Sequence, residues 1–267
     1  MNIYVLLKQV PGTSDVKMDE ETGTMIRTEH KNVINPLDEN ALAEAIRLKD
    51  VCPEVKVTAI SMGPPHAQKA LREAIALGAD EGVLLSHRGF GGSDTLATSK
   101  ALAKALVTLA GGSFGNGDLI LCGERATDGE TGQVGPMVSA ILDVPVVTYV
   151  RKITLEDHCI VAERVVEEGL ELIKASLPAV VTVVKDINQP GFPTLSGKLK
   201  AKSRDIRVLI PDDLGLSGDD VGLSGSPTRV VKVFRPRLSR DTIIHPQDTG
   251  GVAVDSLLSF LEERGII

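Results

Sequence analysis

An open, mostly parallel α/β sheet with helices on both faces is the fold that three features of this 267-residue sequence predict. Up to Pro145, short β-branched or aliphatic runs alternate with longer segments of helical period. Such alternation is the signature of strands joined by crossover helices, which forces neighbouring strands to run parallel. Several runs end in a small loop marked by glycine or proline. After Pro145 the runs crowd together with only turn residues between them, which predicts an antiparallel extension of the sheet.

In chain order, Asn2–Lys8 reads as the first strand. Pro11–Asn35 is polar, carries Asp15, Asp19, Glu20 and Glu21, and contains the alternating Thr24-Met25-Ile26-Arg27; it reads as a long loop or small hairpin. Asp38–Lys49 is a covering helix, with Ala41, Leu42, Ala45 and Leu48 at helical spacing. Strands Val55–Met62, Gly82–Ser86 and Asp118–Cys122 are separated by helices His66–Leu77 and Asp94–Leu109. Val147–Ile153, Cys159–Val166, Leu170–Ala175 and Ala179–Val184 follow as the expected antiparallel strands. From Asn188 to Gly222–Pro227 the chain is rich in Pro, Gly, Ser and basic residues and reads as an exposed excursion outside the core. Val252–Arg264 places Val254, Leu257, Leu258 and Leu261 on one helical face, so the helix is expected to dock, with another subunit as a candidate surface. The predicted organisation is a domain over residues 1–226 and an arm over 227–267.

Composition excludes several classes. At 42% hydrophobic and 24% charged the chain should fold, and 3% aromatic content without Trp offers no stacking platform. A net charge of −7 lacks the basic excess that nucleic-acid backbones require. Cys52, Cys122 and Cys159 are widely spaced with no CxxC pair, so neither a disulfide framework nor a zinc or iron–sulfur site is expected, and the chain reads as cytoplasmic. The N-terminus lacks a basic region and cleavage site and reads as a strand. No apolar run approaches the roughly 20 residues that span a bilayer, so any membrane contact is expected through partners.

Ligands of open parallel sheets bind beyond the carboxyl ends of the strands. Three loops there stand out: Lys8–Pro11, Ser61–Pro64 and Gly123–Pro136. In the last, Gly123, Gly129, Gly132 and Gly135 permit close backbone approach, and the following helix start offers N–H groups to a phosphate. Thr127 with Glu130 equally fits a capping box, which would satisfy those groups without a ligand. Asp128 and Glu130 oppose a phosphate by charge, although an Asp can accept from a ribose hydroxyl. His87–Asp94 fails the dinucleotide pattern and reads as a loop with Asp94 as helix N-cap. His30, His66, His87, His158 and His245 lack metal-site spacing and read as surface residues. Glu167-Glu168 reads as solvated charge, and no nucleophile elbow or Walker loop is present. The residues alone thus describe a nucleotide-binding α/β protein with its site at the strand ends.

Ala162–Thr182, with Arg164, Glu167-Glu168, Glu171 and Pro178 before Ala179-Val180-Val181, resembles the signature of electron-transfer flavoprotein β subunits. Ala162 is smaller than the Ile or Val common at the first position. The resemblance extends through Lys8-Gln9-Val10-Pro11, Asn35–Glu39, Arg47-Leu48-Lys49 and Leu77–Asp80. It implies an adenine-nucleotide-binding, HUP-like fold whose nucleotide contacts fall on Leu6, on Asn35, Pro36, Leu37 and Asp38, and on Met62. The remaining contacts fall on the long glycine segment: Gly123, Glu124, Arg125, Ala126, Thr127, Asp128, Gly129, Glu130, Thr131, Gly132, Gln133 and Val134. Glu124 and Arg125 depart from the basic residue and Gln usual in the family, which leaves backbone roles there intact and side-chain roles open.

Asp128–Pro136 and Lys8–Pro11 resemble the electron-bifurcating branch. That branch implies FAD in this subunit, NADH as donor, ferredoxin or flavodoxin as one acceptor, and a flavin dehydrogenase of the acyl-CoA type reached through FAD on an α subunit. The conventional branch implies AMP in the same site as a scaffold, and a stand-alone ATP- or AMP-sensing protein of similar fold is a third reading. Gly191, Phe192, Pro193, Thr194, Leu195, Ser196, Gly197, Lys198, Leu199 and Lys200 resemble the family's recognition loop for the dehydrogenase, with Leu195 as anchor. The C-terminal arm resembles the segment that embraces the α subunit.

Overall fold

The computed structural model describes residues 1–12, 32–113, 117–231 and 251–267. Two compact units divide at Val231/Lys232. The larger is built in the order β1 (Asn2–Leu6), β2 (Gln9–Pro11), β3 (Asn32–Ile34), α1 (Pro36–Val51), β4 (Lys56–Met62), α2 (Gln68–Leu77), β5 (Glu81–Leu85), α3 (Thr95–Leu109), β6 (Leu119–Gly123), α4 (Val134–Leu142), β7 (Val146–Glu156), β8 (Cys159–Val166), β9 (Gly169–Ser176), β10 (Ala179–Val183), α5 (Leu195–Ser203) and β11 (Arg207–Leu209). Nine strands form one open sheet in the order β11-β5-β4-β1-β6-β10-β7-β8-β9.

Alternation along the strands divides the core between the two faces of the sheet. Ile3 and Val5 face α1 and α2, packing in a cluster with Leu42, Ala45, Leu71 and Ile75. Tyr4 and Leu6 face α3 and α4, packing with Ala101, Leu106 and Val138. Pro36 opens α1, where its missing N–H costs no hydrogen bond. Asp94 has extended backbone and accepts from the N–H groups of Leu96 and Ala97, capping α3 as the sequence suggests.

The chain runs outward from β1 to β4 and β5, then returns to lay β6 on the other side of β1, and all these pairs are parallel. Leu6 stands level with Ile60 of β4 and Cys122 of β6. The direction of winding therefore reverses between β1 and β6, and their carboxyl ends flank the crevice of a doubly wound sheet.

Three expectations are corrected. β10 is not antiparallel: it pairs parallel with both β6 and β7, leaving β7–β8 and β8–β9 as the antiparallel pairs. The segment after Asn188 is not wholly an exposed excursion, because α5 packs on α2, β11 extends the sheet beside β5, and Leu209, Leu214, Leu216 and Val221 are buried in the α3 face. Within it, Leu195–Lys200 is helix rather than loop, capped by Thr194, whose hydroxyl accepts from Gly197 N–H at 3.0 Å. The chain entering and leaving Pro11–Asn35 forms the antiparallel pair β2–β3; the segment's interior, including Thr24–Arg27, lies outside the described residues.

Gly197 lets α5 seat on α2, since a Cβ there would meet the Ala76 carbonyl. Arg72 holds the far end of α5 by donating to the Ala201 carbonyl at 2.7 Å. Gly197→Ala is therefore expected to unseat α5 at a cost of about 1–3 kcal/mol, read as a lower melting temperature and faster proteolysis within Lys198–Lys202. An unchanged melting temperature would show that the contact relaxes freely.

In the smaller unit, α6 (Val252–Glu263) exposes Val254, Leu257, Leu258 and Phe260, and the Arg264 guanidinium lies 4.4 Å over the Phe260 ring. Among the described residues no helix is long and apolar enough to cross a membrane.

Candidate functional site

The crevice is organised by two side chains at the start of α1. Asp38 reaches between the strand ends: its Oδ2 accepts from the Lys8 N–H at 2.7 Å and its Oδ1 from the Gly123 N–H at 2.9 Å. One carboxylate thereby ties β1 to β6. Burial pushes the Asp38 carboxyl up to about 7, against the opposing pull of those two N–H groups, Asn35 and the Lys8 charge. Gly123 is glycine because α1 leaves no room: a Cβ would lie 2.6 Å from Leu37 Cβ and 2.7 Å from Asp38 Oδ1.

Asn35, fully buried, shapes the segment beyond β6. Its Nδ2 donates to the Arg125 carbonyl at 2.9 Å and its Oδ1 accepts from the Thr127 N–H at 3.1 Å. The Ala126 carbonyl then accepts from the N–H groups of Gly129 and Glu130, at 3.3 and 2.8 Å, closing a turn. Glu130 and Gly132 take positive φ, 50° and 63°. No helix starts at this turn, so the capping-box reading of Thr127 and Glu130 is corrected: the Thr127 N–H is taken by Asn35, and α4 begins later, at Val134, with no side-chain cap.

The consequence is a row of donors. Among the described residues, the N–H groups of Thr131, Gly132, Gln133, Val134 and Gly135 have no protein partner. Gly135 draws this helix start onto the sheet, where a Cβ would lie 2.6 Å from Thr182 Cγ2 and 3.0 Å from Cys122 Sγ. Gln133 is steadied by Thr95, whose hydroxyl donates to Gln133 Oε1 at 3.1 Å. A Cβ at Gly129 would meet nothing within 4 Å, so that glycine faces open space. Consecutive free N–H groups at a helix N-terminus are suited to a phosphate.

The neighbouring strand ends complete the site. Lys8 Nζ lies 2.7 Å from Asp128 Oδ1, and Arg125 pairs with Glu124 at 3.5 Å. Beside Lys8 a small pocket opens, lined by Val10, Pro11, Met62, Gly63 and Ala67 with the Asn32 amide on its wall. Asn32 Nδ2 donates to Gln9 Oε1 at 3.4 Å and stands 3.5 Å from His66 Nε2. His66 is thus half-buried at the rim of the site, not a plain surface residue. Lys8 and Gln9 belong to the strand-end loop that the sequence singles out, whereas Asn32 is a further residue of the site that it does not.

Of the residues expected at the nucleotide, Asn35 and Asp38 serve through bonds to the loops, and Leu37 forms the floor under Gly123. The Leu6 side chain is core, so it offers only backbone, and Pro36 is exposed at the start of α1. Met62 lines the pocket, and Gly123 through Val134 form the segment beyond β6, of which Thr131 to Val134 carry the free N–H groups. Gly191 through Lys200 lie apart from this set, on α5 and its approach, where Phe192, Leu195 and Leu199 are 95%, 76% and 59% exposed.

A family model described as "Electron transfer flavoprotein domain" matches residues 22–214. The "Electron transfer flavoprotein subunit beta" of Thermoanaerobacterium thermosaccharolyticum is 44% identical over 270 residues, covering 100% of both chains. The protein of the same name from Megasphaera elsdenii is 46% identical over 255 residues, 95% of this chain and 91% of that one. The "Caffeyl-CoA reductase-Etf complex subunit CarD" of Acetobacterium woodii is 42% identical over 267 residues, with 100% of both chains covered.

Proposed function

The chain belongs to the electron transfer flavoprotein family, and from that premise we propose that it acts as the β subunit of an electron-bifurcating complex, holding FAD at the β1–β6 crevice. The observation that carries this reading is the row of free N–H groups from Thr131 to Gly135 above the switch point of the sheet. Bound there, FAD would supply acceptance of hydride from NADH and division of the electron pair, one electron going to ferredoxin or flavodoxin and one, through FAD on an α subunit, to a flavin dehydrogenase.

The chain's own residues bind and orient. Thr131–Gly135 hold the diphosphate by their N–H groups, with Gly129 leaving space for its approach. Asp38 and Asn35 fix the two loops before the ligand arrives, so little ordering remains to be done on binding. The small pocket at Met62 and Ala67 takes an edge of a ring, while Gln9, Asn32 and His66 offer polar atoms around it.

Leu195 and Leu199, exposed on α5 where it seats on α2, and Phe192, exposed on the approach to that helix, form the docking patch for the dehydrogenase. The relative named as part of a caffeyl-CoA reductase complex supports a partner that acts on CoA thioesters. The exposed face of α6 meets the α subunit, and the complex works in the cytoplasm. Leu195→Ala is expected to slow electron transfer to the dehydrogenase about tenfold while NADH still reduces the flavin at the native rate. Equal loss of both rates would mean that Leu195 supports the fold.

The direct test of the cofactor is the nucleotide content of the purified α–β complex, by absorbance and by chromatography of the released nucleotides. Two FAD per heterodimer supports bifurcation. One FAD and one AMP would make the cradle a scaffold site and move the redox chemistry to the α subunit.

A further inference from the structure

Resting on the nucleotide reading above, the ion pair between Lys8 and Asp128 points to a role for Lys8 beyond the loop. The pair joins two points that are already anchored. Lys8 is fixed through its N–H by Asp38 and through its carbonyl by the Asn35 N–H at 2.8 Å, and Asp128 follows Thr127, itself held by Asn35. Its removal leaves those bonds in place, so the pair is not what shapes the crevice.

The charges around it are unbalanced. The glycine segment carries Glu124, Asp128 and Glu130 against Arg125, and Arg125 is paired with Glu124. Lys8 is thus the cation at the end of β1 that neutralises Asp128, the more enclosed carboxylate, with side-chain exposures of 47% for Lys8 and 9% for Asp128. A phosphate arriving at the Thr131–Gly135 donors brings further negative charge to this side of the crevice. Lys8 is half exposed on a flexible stem and free to turn, but its departure leaves the enclosed Asp128 unpaired, so it leaves only for an anion of higher charge.

We propose that Lys8 is an exchangeable cation. It rests on Asp128 when no anion is present and turns to the phosphate of the nucleotide when one binds, leaving Asp128 as a charge that weakens retention. Lys8 and Asp128 then act on nucleotide affinity with opposite signs, although they form one pair. A simple strap would give the same sign for both, and an Asp128 that accepts from ribose would tighten rather than weaken binding.

The test is calorimetric titration of the α–β complex, stripped of its β-site nucleotide, with AMP and with adenosine. Lys8→Gln is expected to weaken AMP about tenfold and to flatten its salt dependence, with adenosine unchanged. Asp128→Asn is expected to tighten AMP several-fold, again with adenosine unchanged. The proposal is overturned if both variants weaken AMP, if both weaken adenosine equally, or if Lys8→Gln leaves AMP binding intact. Wild type that binds neither AMP nor FAD would instead remove the nucleotide reading itself.

Discussion

Gly123→Val is expected to abolish nucleotide retention and to destabilise the subunit by several kcal/mol. Even the first added carbon would sit 2.6 Å from Leu37 Cβ, 2.7 Å from Asp38 Oδ1 and 2.8 Å from the Leu37 carbonyl carbon. These neighbours belong to the buried first turn of α1, which cannot retreat without losing its place on β6. Overpacking of this kind costs about 1–3 kcal/mol. Displacing Asp38 would also leave the N–H groups of Lys8 and Gly123 without their acceptor, and an unsatisfied buried group costs about 1–3 kcal/mol. Gly129→Ala is the control: nothing lies within 4 Å of its added carbon, so stability should stay within about 0.5 kcal/mol of wild type. Urea unfolding and cofactor content measure both effects. A Gly123→Val protein of native stability with a full nucleotide complement would refute the clamp.

The second large effect is expected at Asp38. Asp38→Ala leaves the N–H groups of Lys8 and Gly123 without their acceptor, and an unsatisfied buried group costs about 1–3 kcal/mol. Asp38→Asn keeps the shape but sets an amide N–H₂ against one of the two donors. The pH dependence has a definite sign. Because burial raises the folded carboxyl to about 7, above its ordinary value near 4 in the unfolded chain, the folded state holds the proton longer. The contribution of Asp38 is therefore fully present below the unfolded value, falls as pH rises towards 7, and is level above that. Each unit of separation corresponds to about 1.4 kcal/mol. The stability advantage of wild type over Asp38→Asn should shrink between pH 5 and pH 8, as read by denaturant unfolding. An advantage that is constant over this range would mean that the carboxyl titrates alike in both states.

The doubly wound half of the fold was legible because each strand there is followed by a helix, and that alternation forces parallel pairing. The direction of β10 was hidden by the short turn that precedes it, which suggested one more antiparallel strand. Its own residues held the contrary signal: Ala179-Val180-Val181-Thr182-Val183 is apolar save for Thr182 and is buried throughout, as expected of a strand covered on both faces. β8, by contrast, has only Ile160 and Ala162 fully buried, at alternate positions. The helix α5 was illegible because its stability is tertiary. Leu195–Ser203 contains a glycine and three lysines, and the contact of Gly197 with Ala76 that seats it joins residues far apart in sequence.

The site was legible in place more than in mechanism. Strand ends can be located from alternation alone, so Lys8–Pro11, Ser61–Pro64 and Gly123–Pro136 could be chosen without coordinates. The local pattern of Thr127 and Glu130 misled because a residue 92 positions away takes the Thr127 N–H. The pairing of Lys8 with Asp128 was hidden for the same reason, since the two lie 120 positions apart. The glycines also divide in a way that spacing does not show. Gly123 and Gly135 are required by packing, whereas Gly129 borders open space.

Amide hydrogen exchange on the α–β complex, with and without its β-site nucleotide, tests the central claim most directly. The donors of the cradle are the N–H groups of Thr131, Gly132, Gln133, Val134 and Gly135, so loading should slow exchange there and leave β8–β9 unaffected. Protection that appears elsewhere while this segment exchanges at the same rate in both states would place the nucleotide outside the β1–β6 crevice.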